Sequence, residues 1–134
     1  MRNVMLAFAL AALGLSAASP AMAGDAAAGE AIGKKCLACH DLTETKANKV
    51  GPALWGVAGG PLGAVDGFKY SADYKAVADT GVTWTEEELM AYLEDPTAYL
   101  RAKSGNDKAR SKMTFKLKKE KDRADVIAYL QTLK

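Results

Sequence analysis

The chain has 134 residues and a formal net charge of +2, from 18 basic and 16 acidic side chains. This length excludes a multidomain protein and allows one domain with a modest hydrophobic core. Two cysteines and a single histidine in the whole sequence leave few ways to build a metal or redox site.

The first 23 residues have the pattern of a secretory signal peptide. Arg2 is the only charged residue there, an apolar run covers Val4 to Leu15, and Ala21-Met22-Ala23 offers a small-x-small cleavage site. The alternative is a transmembrane anchor, but the run is shorter than the ~20 residues that a span needs, and serines and a proline interrupt it. We expect cleavage after Ala23, which leaves a domain of residues 24–134 that does not span a membrane.

The domain begins with a predicted helix that Asp25 caps and that runs to Cys36. Gly29 and Gly33 lie four residues apart inside this helix, and each costs about 1 kcal/mol of helix stability relative to alanine. Their spacing favours the close approach of a second helix. The alternative is a frayed helix that the fold tolerates.

Both cysteines and the histidine fall in one motif, Cys36-Leu37-Ala38-Cys39-His40. The pattern C-x-x-C-H is the attachment site of a c-type haem. Two thiols three residues apart on a helical turn reach the two vinyl groups of one porphyrin, and the adjacent imidazole meets the iron. We therefore predict one covalently bound haem c. Its attachment in bacteria takes place outside the cytoplasmic membrane, which agrees with export to the periplasm.

Three other interpretations of the motif are weaker. A disulfide is compatible with an exported protein. A thioredoxin-like redox pair belongs after a strand in a βαβ pattern, and no such strand precedes Cys36. A structural zinc site needs four ligands, whereas the motif supplies three.

Residues 41–74 are predicted to form a long loop. They are rich in glycine, and Gly51-Pro52, Gly59-Gly60-Pro61 and Asp66-Gly67 are turn signals. A loop of this length argues against a compact domain unless it packs on a cofactor, as it would around a haem edge. A short helix is expected over Tyr74 to Ala78.

A middle helix is predicted to begin at Thr85, because Thr85-Glu86-Glu87-Glu88 has the pattern of a capping box. Its apolar side consists of Leu89, Met90, Tyr92 and Leu93. Pro96 ends the helix, and Thr97 to Arg101 adds another turn. A polar and basic loop is expected over Ala102 to Lys112.

The last helix is predicted from about Lys119 to Leu133. Its apolar residues recur at helical spacing; they are Val126, Ile127, Leu130 and Leu133. No part of the chain alternates in the manner of a strand, so the predicted fold class is all-α.

A second iron ligand has to be another residue type, because His40 is the only histidine. Methionine is the usual partner, and Met90 and Met113 are the two that follow the signal peptide. Met90 lies within a helix, where methionine ordinarily fills a core. Met113 lies in a predicted loop that can fold over the far haem face, so we predict His40 and Met113 as the axial ligands. Two protein ligands close the iron to substrate, which favours electron transfer over enzymatic catalysis.

These residues together resemble the class I c-type cytochromes, most closely the bacterial cytochrome c2 type. The resemblance covers the whole chain after the signal peptide. It rests on the segments C-L-A-C-H, G-P-A-L-W-G, F-K-Y-S, W-T-E-E-E-L-M-A-Y-L-E-D-P, S-K-M-T-F and D-V-I-A-Y-L, in that order. It implies the cytochrome c fold, in which several short helices and long loops wrap around one haem.

The resemblance also implies roles around the iron. The carbonyl of Pro52 would accept a hydrogen bond from the second nitrogen of His40, which fixes the imidazole and raises its basicity. Tyr92 would direct its hydroxyl at the sulfur of Met113.

Further roles concern the porphyrin. Leu54 would pack on the haem, and Phe115 would shield its exposed edge. The propionates would receive hydrogen bonds from Tyr70, Trp84 and Ser111. Without the resemblance, each of these aromatic residues is equally well explained as ordinary core.

The chain departs from the family pattern at Gly33, Gly60 and Trp55, the last at a place often held by tyrosine or histidine. Family members usually have an aromatic residue at the place of Gly33, where the first helix packs on the last, so the space near Tyr129 has to be filled otherwise. Many members have an arginine at the place of Gly60 that pairs with a propionate. Its absence predicts a somewhat lower reduction potential, because a positive charge near the haem is missing.

Charge is unevenly placed along the chain. Residues 24–100 contain 6 basic and 12 acidic side chains, whereas residues 101–123 contain 10 basic and 3 acidic ones. The basic block flanks Met113, and four lysines are expected to complete a ring at the haem edge: Lys34, Lys35, Lys46 and Lys49. Such a ring would steer the protein onto acidic surfaces of membrane redox complexes. The alternative is a solvated charged loop.

The predicted function is that of a periplasmic monohaem electron carrier, expected to be a monomer. It would move single electrons from a cytochrome bc1 complex to a photosynthetic reaction centre or a terminal oxidase. Nucleic acid is not an expected partner of an exported haem protein. Two alternatives from other classes are a haem enzyme or ligand sensor with an open iron site, and a haem-free dithiol protein.

Overall fold

The computed structural model of the protein describes residues 23–134, so the predicted signal peptide lies outside the described residues except for Ala23. The helices are α1 (Ala26–Gly33), α2 (Ala72–Ala78), α3 (Glu86–Glu94), α4 (Pro96–Ser104) and α5 (Glu120–Thr132), with a 3₁₀ turn at Cys36–Ala38. Within residues 23–134 extended pairing is limited to one isolated bridge between Pro61 and Thr83. The predicted all-α fold class is confirmed.

The first and last helices, α1 and α5, cross in direct backbone contact. An ideal Cβ at Gly29 would lie 1.9 Å from the carbonyl oxygen of Asp125 and 2.9 Å from the Cβ of Tyr129. One at Gly33 would lie 3.1 Å from the ring of Tyr129. The close approach expected from the glycine spacing is confirmed, and the Tyr129 ring fills the space opposite Gly33.

A buried carboxylate on α5 fastens the beginning of α1. The side chain of Asp125 accepts hydrogen bonds from the amide of Asp25 at 2.9 Å and from the ammonium of Lys121 at 2.7 Å. These two bonds hold the pKa of Asp125 below its ordinary value. Asp25 in turn accepts from the amides of Ala27 and Ala28, as its predicted capping role requires.

Two hydrophobic clusters form the interior of the described region. The larger lies among α2, α3, α4 and α5, and its buried members are Leu62, Val77, Trp84, Leu89, Leu93, Tyr99, Leu100, Ala109, Leu117, Val126 and Ile127. The smaller contains Leu42, Leu130 and Leu133, and Cys36 packs against it. The four apolar residues predicted for the last helix region are all buried.

Several predicted boundaries were wrong. Helix α1 ends at Gly33 and does not reach Cys36, where the chain enters a 3₁₀ turn. Helix α2 begins two residues earlier than predicted, because the hydroxyl of Ser71 accepts the amide of Tyr74 and caps it. Helix α4 runs past Arg101 to Ser104, where Gly105 ends it in a left-handed conformation.

The capping box at α3 is only half formed. The Thr85 hydroxyl accepts the amide of Glu88 at 3.2 Å. The Glu88 carboxylate does not return to Thr85, because it accepts the hydroxyl of Tyr99 at 2.6 Å and pairs with Lys103. Glu88 therefore joins α3 to α4.

Among the helices described for residues 23–134, none combines the length and apolar character that crossing a membrane requires.

We predict that Gly29→Ala destabilises the folded protein by about 1–3 kcal/mol, because the added methyl group meets backbone that cannot yield without separating α1 from α5. Gly60→Ala is the matched control, since a Cβ there would come no closer than 3.4 Å to another atom. Guanidinium unfolding of both variants measures the difference. Equal stability of the two variants would contradict the contact.

Candidate haem-binding site

The cysteine motif folds into one tight turn directly after α1. The amides of Cys39 and His40 both donate to the carbonyl of Cys36, at 3.1 and 2.9 Å. Both cysteines are free thiols; Cys39 is exposed and Cys36 is half-buried. Burial, followed by the charge of Cys39, raises the pKa of Cys36. Two free sulfurs and an imidazole therefore leave the same turn.

The imidazole of His40 is buried and oriented by one strong hydrogen bond. Its Nδ1 lies 2.6 Å from the carbonyl oxygen of Pro52. Because a carbonyl oxygen only accepts, Nδ1 is the protonated nitrogen, and Nε2 keeps its lone pair for a metal. Burial lowers the pKa of His40, against the opposing effect of the Pro52 hydrogen bond. Burial of the ring therefore favours the neutral form that metal ligation requires.

Gly51 supplies the space in which this imidazole sits. An ideal Cβ at Gly51 would lie 2.3 Å from Cε1 and 2.7 Å from Nδ1 of His40. The amide of Gly51 donates to the carbonyl of Cys39 at 2.8 Å, which holds the glycine against the motif. Pro52 was expected beside His40 from the resemblance, whereas Gly51 was marked only as part of a turn. The part of Gly51 in the site was missed, because backbone packing on a ring has no signal in the sequence.

These observations fit a covalently attached haem. Thioether formation needs two free, accessible sulfurs on one side of the porphyrin, and the turn provides them. Axial ligation needs an imidazole with one free nitrogen, while a hydrogen-bond partner holds the other nitrogen. His40 and Pro52 provide this arrangement. Within residues 23–134, no three His, Cys, Asp or Glu side chains gather in a way that could hold a separate metal ion.

Met113 and Ser111 belong to a segment tied to the rest of the fold. The Ser111 hydroxyl accepts the amide of Met113 at 3.1 Å, and the amide of Ser111 donates to the hydroxyl of Thr97 at 3.1 Å. Burial raises the pKa of Tyr92, whereas a hydrogen bond with Ser111 lowers it. Ser111 therefore adjoins both Tyr92 and Met113. Met113 and Met90 are both half-buried against the larger cluster.

The predicted aromatic residues Tyr70, Trp84 and Tyr92 form one connected group of rings. Trp84 and Tyr92 have centroids 4.9 Å apart, and Tyr70 stacks on Tyr74 at 4.7 Å. Tyr74 links the two pairs, since its ring lies 6.4 Å from that of Tyr92. Burial raises the pKa of Tyr74 strongly. Tyr74 was missed as a site residue, because its position in the sequence indicated only a short helix.

Two predicted haem contacts lie apart from these rings. Leu54 packs against the smaller cluster, as Cys36 also does. Phe115 is 39% exposed, which is unusual for a phenylalanine and leaves its ring available at the surface.

We predict that Gly51→Ala displaces the His40 ring and costs about 3 kcal/mol or more, because the methyl group would overlap a side chain fixed by Pro52. The yield of exported protein with covalently retained haem, measured by its pyridine haemochrome, should fall well below that of the wild type. Gly60→Ala again serves as the control, since it adds a methyl group away from the imidazole. Normal haem content in Gly51→Ala would show that the ring has another place to go.

Comparisons with known proteins agree with this geometry. Residues 26–134 match the Cytochrome c family. The chain is 47% identical over 133 residues to cytochrome c2 of Rhodospirillum rubrum, covering 99% of this chain and 98% of that protein. It is 53% identical over 113 residues to cytochrome c2 of Pararhodospirillum photometricum, covering 84% and 100%. The structure of cytochrome c2 from Rhodospirillum centenum matches with a TM-score of 0.77 at 45% identity, covering 82% of this chain and 98% of that one. The chain thus belongs to the class I c-type cytochromes, close to cytochrome c2, and is an electron carrier with one covalently bound haem c, not an enzyme.

Proposed function

We propose that this cytochrome is a periplasmic shuttle for single electrons, with its haem iron held between His40 and Met113. Its donor would be a cytochrome bc1 complex, and its acceptor a photosynthetic reaction centre or a terminal oxidase. The observation that carries the proposal is the 2.6 Å contact between His40 Nδ1 and the Pro52 carbonyl, which leaves Nε2 as the free nitrogen beside two free thiols.

The side chains around the site suit electron transfer. The bound haem supplies an iron that exchanges one electron between its ferrous and ferric states. A thioether ligand raises the potential of such an iron, and burial favours the less charged state. The Ser111 hydroxyl accepts the amide of Met113, and Ser111 also adjoins Tyr92, which supports Met113 over Met90 as the ligand.

The remaining predicted contacts with the haem are also proposed. Leu54, beside Cys36, would pack on the porphyrin, and Phe115 would cover its edge. Hydrogen bonds to the propionates would come from Tyr70, Trp84 and Ser111. The Tyr70 hydroxyl already accepts the amide of Val65 at 3.2 Å, so a propionate would accept its proton without competing for that bond.

The domain boundary is proposed at the predicted cleavage site. A Cβ at Gly24 would lie 2.0 Å from the carbonyl oxygen of Ala124 on α5, so the chain is packed into the fold from this residue onward. A signal peptide of residues 1–23 and a mature domain of residues 24–134 are consistent with that contact. The intact mass of the exported protein gives the boundary directly.

The surface proposed for docking contains fewer basic residues than the sequence suggested. Several cations of the basic block pair with carboxylates of the protein itself; these are Lys103 with Glu88, Lys116 and Lys118 with Asp95, Lys121 with Asp125, and Arg123 with Glu94. Within the described residues, no such ion pair involves Lys108, Arg110 or Lys112. We therefore propose Lys112 and its two basic neighbours, with the lysines near the cysteine motif, as the surface that meets acidic partners.

We predict that Met113→Ala abolishes the weak near-infrared band that arises from charge transfer between a thioether and ferric iron. The same change should open the iron to carbon monoxide in the ferrous protein, because one axial ligand is lost. Met90→Leu is the matched control and should keep the band, since methionine and leucine are similar in volume. Loss of the band in Met90→Leu with its retention in Met113→Ala would reverse the assignment.

We also predict that Lys112→Gln slows electron transfer to a membrane redox complex severalfold at low ionic strength. The effect should vanish at high salt, where the Debye length falls to about 3 Å at 1 M. Lys121→Gln removes the same charge from α5, where Asp125 already pairs with it. An equal loss of rate in both variants would show that net charge, and not the proposed surface, controls the reaction.

A further inference from the structure

The segment that bears Met113 is fixed at its two ends. We call residues 109–118 the Met113 strap. Ala109 at one end is 1% exposed, and Leu117 at the other is 6% exposed. The residues between them lie at the surface or are half-buried.

An arginine from a neighbouring helix reaches each end of the strap. Nε of Arg101, on α4, donates to the carbonyl of Ala109 at 3.0 Å. Nη1 of Arg123, on α5, donates to the carbonyls of Leu117 and Lys118, both at 2.8 Å. Hydrogen bonds from a charged donor to buried backbone are among the stronger ones in proteins.

Burying the guanidinium of Arg123 at this position costs free energy. Its side chain is only 8% exposed, and its one carboxylate neighbour, the half-exposed Glu94, lies 3.7 Å from Nη2. Its Nε is buried without an acceptor among the described residues. A buried cation with incomplete pairing adds little to stability and often costs some. Its position on two strap carbonyls suggests a task beyond stability.

Other attachments of the strap are exposed and weak by comparison. Lys116 pairs with Asp95 at 2.6 Å, and Lys112 donates to the carbonyl of Lys69 at 2.9 Å, with both lysines at the surface. Exposed ion pairs typically contribute about 0–1 kcal/mol or less. The carboxylate of Asp73 also accepts the amide of Arg110 at 2.9 Å. The arginines are thus the cationic side chains that donate to backbone carbonyls at both ends of the strap.

We propose that Arg101 and Arg123 are positioning residues that fasten the Met113 strap and thereby set how tightly its sulfur holds the iron. This inference rests on the proposed ligation by His40 and Met113. Neither arginine touches the iron; each acts on the backbone that carries the ligand. Opening of the strap, and not unfolding of the protein, is the event that they oppose.

Imidazole binding to the ferric holoprotein tests the proposal, because imidazole reaches the iron only when Met113 leaves. Arg123→Lys and Arg101→Lys keep the charge but lose the planar arrangement of donors. We expect each to bind imidazole about tenfold more tightly than the wild type, which corresponds to about 1.4 kcal/mol. Hydrogen exchange at the Leu117 amide, which donates to Leu93 at 2.8 Å, should accelerate in Arg123→Lys.

Two controls separate strap opening from general effects. Ile127→Val empties part of the buried core but removes no hydrogen bond to the strap, so it should lower the global unfolding stability and leave imidazole affinity unchanged. Lys119→Gln removes a nearby surface charge and should also leave the affinity unchanged.

The outcomes distinguish this proposal from the ligation on which it rests. Unchanged imidazole affinity in both arginine variants, with the near-infrared thioether band intact, would overturn the role of the arginines and leave the ligation standing. A rise in imidazole affinity that is as large in Ile127→Val as in the arginine variants would merely reflect the loss of global stability. That result would also overturn the role of the arginines. If the wild-type protein bound imidazole as tightly as Met113→Ala does, both the role of the arginines and the ligation by Met113 would be overturned.

Discussion

The imidazole of His40 is held by backbone on two sides, and the rest of the site is arranged around it. The Pro52 carbonyl fixes which nitrogen carries the proton, and the backbone of Gly51 packs against the ring where a side chain would overlap it. The Cys36 carbonyl accepts the amides that close the turn, so sulfurs and imidazole keep one relative position. A ligand fixed before the electron moves reorganises little when the charge on the iron changes.

The need to hold His40 and the two cysteines in one position also explains why α1 and α5 meet so closely. The cysteine turn follows α1, and the smaller hydrophobic cluster on which Cys36 packs includes Leu130 of α5 and Leu133 just after it. The contact of Gly29 with the Asp125 backbone sets the position of α1, and the Asp125 carboxylate fixes its first residue. A shift in this crossing would move the attachment turn away from the cluster on which Cys36 packs. In the proposed ligation, the far side of the site would be built differently, from the Met113 strap.

The sequence predicts most of what depends on residue type and spacing, and little of what depends on contacts between distant segments. The motif from Cys36 to His40 and the pair of glycines in α1 are local patterns, so their consequences were predicted. The part played by Gly51 was missed because its partner is a ring eleven residues away. The ion pairs that occupy much of the basic block were missed because Asp95 and Glu88 lie outside it. Gly33 departs from the family pattern, and the structure shows that the Tyr129 ring fills the space beside it.

X-ray absorption at the iron edge of the holoprotein tests the central claim most directly, namely that His40 and Met113 hold the metal in both oxidation states. The account predicts nitrogen neighbours from the porphyrin and one imidazole, together with a single sulfur at bonding distance, in the ferric and the ferrous protein alike. A spectrum without sulfur in the first coordination shell, or with a ligand that changes on reduction, would contradict it.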